Sequence, residues 1–184
     1  MVSPNAEPLD AVQRTTTGDP SASPAPAAAP AGFEQFYEAE FATMVRVAFF
    51  LVGSQESAEE IVQDAFIRLY DRWATLARPG GYLRSTVVNG CRDRLRRRRR
   101  FDRRRPLLVV DGEATGVTSE QTADRAVLMA ALADLPLRCR TALVLRFYGG
   151  LRESEIAEAM GVAPGTVKSF IHRGLTQLRE GIER

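Results

Sequence analysis

The chain has 184 residues, 45% apolar and 26% charged, with a formal net charge of +2. That length fits one ordinary domain or two small ones and excludes a large enzyme scaffold. Two cysteines, Cys91 and Cys139, and a single histidine, His172, exclude a disulfide framework and argue against a zinc site or any other bound cofactor.

No stretch approaches 18 consecutive apolar residues, and no basic flank precedes an apolar core at the N-terminus. The expectation is a cytoplasmic protein without membrane insertion or a secretory signal. The small net charge conceals an asymmetry. Residues 1–91 carry a net −5, residues 92–105 a net +8 and residues 106–184 a net −1. Five consecutive arginines, Arg96 to Arg100, repel one another unless solvent or a polyanion screens them. A solvated tail is the plain explanation. A basic stretch that continues a helical pattern fits phosphate better.

Residues 1–32 are rich in Pro, Ala, Ser and Thr. They hold too little bulky apolar surface to offset chain entropy, which predicts a disordered tail. From Phe33, apolar residues recur at steps of three and four: Phe36, Tyr37, Phe41, Met44, Val45, Ala48 and Phe49. This is one face of a helix that ends at Gly53. Ser57 and Glu60 have capping-box spacing, which predicts a second helix from Ala58. Ile61, Ala65, Phe66, Leu69 and Trp73 form its apolar stripe. After the break at Pro79-Gly80-Gly81, a third helix runs from Tyr82 into the arginines, with Leu83, Val87, Cys91 and Leu95 at steps of four. Three helices with short connections make one helical unit over residues 33–100.

Residues 101–123 have no sustained period and read as a flexible linker. A second unit spans residues 124–184. Val127, Leu128, Ala131 and Leu132 predict a short helix, Arg138 to Tyr148 another, and Glu153 to Met160 a third. A turn at Gly161-Val162-Ala163 leads to a helix opening at Pro164, which suits a first helical position. Two helices joined by a short glycine-containing turn carry the helix-turn-helix signature; the bland alternative is a helical hairpin in a bundle. On the last helix Val167, Ile171, Leu175 and Leu178 are expected in the core. That leaves Thr166, Lys168, Ser169, His172 and Arg173 for base edges and phosphates. Cys91 and Cys139 are expected as small core residues.

These residues resemble the extracytoplasmic-function (ECF) group of bacterial sigma-70-like RNA polymerase sigma factors. The likeness rests on Ala58-Glu59-Glu60-Ile61-Val62-Gln63-Asp64-Ala65-Phe66, on Tyr82-Leu83, Asn89, Asp93 and Arg96-Arg97, and on Leu135-Pro136, Arg140, Glu155-Ile156-Ala157, Gly161 and Gly165-Thr166-Val167-Lys168-Ser169. It implies an all-α fold: a region 2-like three-helix domain and a region 4-like helix-turn-helix domain on a flexible linker. It implies a non-enzymatic initiation factor that brings core RNA polymerase to promoter DNA, with an anti-sigma factor as regulator. Glu60, Gln63, Asp64 and Phe66 would meet the clamp coiled coil of the polymerase large subunit. Tyr82, Asn89, Arg92, Arg96 and Arg97 would engage the minus-ten element. Arg152, Thr166, Lys168, Ser169, His172 and Arg173 would engage the minus-35 element. Five departures stand out: Tyr82 replaces a common Trp, Arg152 and Ala163 replace capping Ser or Thr, Phe170 replaces a common arginine, and Gly174 a frequent alanine. The rivals are a stand-alone helix-turn-helix regulator, which would need a dimerisation or sensor domain, and an RNA-binding protein, which would need an aromatic platform on strands.

Overall fold

A computed structural model describes residues 30–102 and 119–182. Nearly all of the predicted tail and most of the predicted linker lie outside the described residues. Among the described residues the chain forms seven α-helices and no strand: α1 Phe33–Val52, α2 Gln55–Tyr70, α3 Pro79–Asp102, α4 Ser119–Asp134, α5 Leu137–Phe147, α6 Glu153–Met160 and α7 Pro164–Ile182. The fold is all-α, and α1–α3 and α4–α7 are its two units.

The first unit closes around aromatic side chains. Phe66 of α2 lies under Phe33, Phe36, Tyr37 and Phe41 of α1, with Tyr37 nearest at 4.8 Å between ring centroids. Trp73, in a 3-10 turn after α2, stacks edge-on to Phe33 and donates its indole N–H to the Ala31 carbonyl at 3.2 Å. Edge-on pairs contribute about 0.5–1.5 kcal/mol each beyond burial. Below them Met44, Val47, Leu51, Val62, Leu69, Leu83 and Val87 are fully buried. Gly53 ends α1 at φ 77°, a left-handed backbone that suits glycine.

Several boundaries differ from the sequence-based expectation. Ser54, not Ser57, caps α2: its hydroxyl accepts from the Ser57 N–H at 3.3 Å. Ser57 is buried and accepts from the Arg94 guanidinium at 2.8 Å. α3 begins at Pro79 rather than Tyr82, because proline needs no acceptor for a missing N–H in the first turn. α4 begins at Ser119, inside the predicted linker. No Gly or Pro stands between Thr118 and Leu135, so nothing there stops a helix from propagating. Val127 is 62% exposed, and α4 instead packs through Leu128 and Leu132.

The second unit uses smaller residues. A Cβ on Gly174 of α7 would lie 2.7 Å from Leu143 Cδ1 and 3.4 Å from Cys139 Cβ. Glycine therefore lets α7 lie close against α5, which outweighs its low helix propensity. The buried stripe of α7 is Val167, Phe170 and Gly174, with Ile171 and Leu178 at its edge. Leu175, predicted for the core, is 42% exposed, because the glycine contact rotates the helix away from it.

The two units touch. Phe50 of α1 stacks on Tyr148 at 3.9 Å between centroids. Arg140 of α5 donates to the Leu51 carbonyl at 3.1 Å, and within its own unit to the Ala133 carbonyl at 2.6 Å. Arg78 and Arg84 of the first unit pair with Glu158 and Glu155 of α6 at 2.9 Å and 3.3 Å. A side chain on Gly81 would come within 2.9 Å of the Glu158 carboxylate, so α3 and α6 meet at a bare stretch of backbone.

Candidate nucleic-acid interface

The last two helices form the predicted helix-turn-helix. Gly161 ends α6 at φ 64°, where a side chain would strain the backbone. Its N–H goes to the Glu158 carbonyl at 3.2 Å, and the next N–H, of Val162, reaches back to Ala157 at 3.0 Å. Ile156, Ala157 and Val167 are buried at the crossing. Arg152 precedes α6 and has no acceptor atom, so its side chain cannot cap. The Glu155 carboxylate instead accepts from the Arg152 N–H at 3.0 Å, which supplies the reverse arm of a capping box.

Helix α7 then presents the predicted reading face. Lys168, Ser169, His172 and Arg173 are exposed, and Thr166 is half-buried at the start of the helix. Arg173 donates from Nε to the Ser169 carbonyl at 3.3 Å, and its guanidinium carbon lies 5.3 Å from the Phe170 ring centroid. Phe170, where the resemblance leads one to expect an arginine, is buried. It props Arg173 from below instead of meeting phosphate. Arg152 is exposed at the mouth of the motif.

On α3 the candidate minus-ten residues Tyr82, Asn89, Arg92 and Arg96 recur at steps of seven, three and four, and so share one face. Arg97 is exposed beside them. Tyr82 is half-buried, and its ring is partly covered by the Arg72 guanidinium at 5.7 Å. Asn89 accepts from Arg92 at 3.3 Å, which pre-orients that arginine.

On α2, Gln63 and Asp64 are exposed and Glu60 pairs with Arg94 at 3.3 Å. Phe66 must be corrected. It is 3% exposed and belongs to the aromatic core, so it supports α2 from beneath and offers no surface of its own to a partner. The sequence reading also missed Ile67, 61% exposed, and Tyr70. They follow Gln63 at steps of four and three, so an apolar strip runs along the polar face. An isoleucine between Glu, Gln, Asp and Arg on that face is the signal that was available.

Cys91 is fully buried, and burial pushes its thiol up to about 12; it is a packing residue. Arg140 has its pKa lowered, first by burial and then by the nearby Arg99, with Asp134 opposing.

A two-unit helical protein with an arginine-rich helix and a helix-turn-helix belongs, by fold and by site, among the DNA-binding transcription proteins. The family model for Sigma-70 region 2 matches residues 36–101, and that for Sigma-70, region 4 matches residues 125–178. The RNA polymerase sigma-E factor of Streptomyces avermitilis is 34% identical across 82% of this chain and 85% of its own length. The ECF RNA polymerase sigma factor SigE of Mycolicibacterium smegmatis is 34% identical across 97% of this chain and 70% of its own length. The sigma factor RpoE of Bartonella quintana, solved in complex with the anti-sigma factor NepR, shares the fold with a TM-score of 0.70. It does so at 21% identity, over 82% of this chain and 96% of that one. The chain belongs to the ECF group of sigma-70-family RNA polymerase sigma factors, and its function is transcription initiation.

Proposed function

We propose that the three exposed faces divide the work of initiation. The α2 face, with Gln63, Asp64 and Ile67, docks on the clamp coiled coil of core polymerase. The α3 face, with Asn89, Arg92, Arg96 and Arg97, takes up minus-ten DNA. The α7 face, with Thr166, Lys168, Ser169, His172 and Arg173, reads minus-35 base edges, and Arg152 adds a phosphate contact. The chain contributes no catalysis of its own; core polymerase does the chemistry. The observation that carries this reading is α7: a varied set of hydrogen-bonding side chains stands exposed on the second helix of a helix-turn-helix, while its opposite side is buried.

An anti-sigma factor is the proposed regulator, supported by the RpoE–NepR complex among the similar folds. No helix among the described residues is long and apolar enough to cross a membrane. Replacing Asp64 by Arg tests the docking face. Binding to core polymerase should fall at least tenfold, a loss of about 1.4 kcal/mol or more, while helical circular dichroism stays intact. Unchanged co-purification would overturn the assignment of α2.

A further inference from the structure

Helix α5 opens behind Pro136 without a side-chain cap. The N–H groups of Leu137, Arg138 and Cys139 are thus first-turn donors with no acceptor inside the helix. They border a cleft of about 830 Å³ between the two units, within the roughly 300–1,000 Å³ usual for small-molecule sites. Six arginines converge there: Arg92, Arg96, Arg99 and Arg100 from α3, Arg138 from α5 and Arg173 from α7. Among the described residues no Asp or Glu lines the cleft, and none of the six is ion-paired with a carboxylate. Val88, Leu95, Met160 and Val162 supply an apolar floor.

Six guanidinium groups around one concavity repel one another unless solvent or an anion screens them, and an anion among them relieves that repulsion most. A helix N-terminus adds oriented N–H donors to the same spot. Arginine forks match phosphate oxygens in pairs. The cleft is too small for a duplex. The geometry points to a binding site for a short polyphosphate chain, free or esterified to a nucleoside, held by arginines of both units and by the first turn of α5. The bound chain bridges α3 to α5 and α7. Resting on the promoter reading above, it also occupies Arg92, Arg96 and Arg173 and so competes with DNA phosphate.

Calorimetric titration of the full chain, without polymerase or DNA, at 150 mM salt tests the site with sodium tripolyphosphate, ATP and inorganic phosphate as probes. One tripolyphosphate should bind per chain, at least about tenfold more tightly than inorganic phosphate. Arg138→Gln and Arg100→Gln should each weaken it about tenfold, the size expected for one charge-assisted hydrogen bond. Arg179→Gln, which removes an exposed charge on α7 outside the cleft, should change it less than twofold. ATP binding tenfold more tightly than tripolyphosphate would place a nucleoside on the apolar floor; equal binding would make the phosphate chain the whole ligand. Absent one-to-one binding, or equal weakening by all three substitutions, would overturn the site. Because no promoter or polymerase is present, that failure would leave the initiation reading standing. Failure of the Asp64 test would likewise leave the cleft untouched.

Discussion

The two helices proposed to face DNA are built on opposite plans. The C-terminal half of α3 repeats one side chain: Arg96 to Arg100 are all exposed. Identical long cations give charge and reach but no distinction among bases. Helix α7 offers Thr, Lys, Ser, His and Arg on one face, above a buried side packed on α5 by Gly174. Varied donors at fixed positions suit base edges. The supports differ in kind as well. Large aromatic rings hold the first unit, whereas a bare glycine contact sets how α7 sits in the second. A polar surface that needs only charge tolerates a coarse scaffold; one that reads bases needs a set position.

The largest expected effect lies in the aromatic core. Phe66→Ala should cost about 3–5 kcal/mol in urea unfolding of the first unit, and should spare the second if their cores are separate. A uniform loss across both units would show that the inter-unit contacts make them one cooperative body. Gly174→Val should cost about 1–3 kcal/mol by overpacking against Leu143, measured by thermal melting, and should impair minus-35 binding out of proportion to the stability change. Proportionate impairment would mean that the position of α7 matters less than argued.

Lys168→Ala or Arg173→Ala should cost about 1–3 kcal/mol on promoters carrying the base pair each residue reads, and less on others. Converting Arg96 and Arg97 to Gln should weaken every promoter alike. It should also lower the log–log salt slope on duplex DNA by roughly 0.9 for each phosphate no longer neutralised. If both pairs shift all promoters by one factor, α7 is only a phosphate clamp and the contrast between the helices fails. The smallest effect belongs to the inter-unit pairs. Glu158→Gln breaks an exposed bridge to Arg78 and should cost about 0.2–1 kcal/mol, read as a small change in melting temperature that salt erases.

Much of this was legible in the chain. The apolar periodicity from Phe33 onward, the Gly53 stop and the Gly161 turn each follow from local chemistry, and each is where expected. The errors share one cause. Ser57 looked like a cap, Leu175 looked like core, and Phe66 looked like a polymerase contact. Each depends on a neighbour that is distant in sequence: Arg94 for Ser57, Leu143 for the rotation that exposes Leu175, and α1 for Phe66. Spacing along one helix tells which residues share a face, but not which of two neighbouring faces another helix covers. The cleft arginines show the same limit, since α3, α5 and α7 meet there only through the packing of the two units.

That packing has a consequence for distance. α3 ends at Asp102 and α4 begins at Ser119, and the chain between them reaches about 55–60 Å fully extended. Under the proposed assignment the two elements lie about 25 base pairs apart, or about 85 Å of duplex at 3.4 Å per step. Units joined by contacts such as Arg84 to Glu155 at 3.3 Å cannot straddle that span, so reading both elements requires these contacts to break.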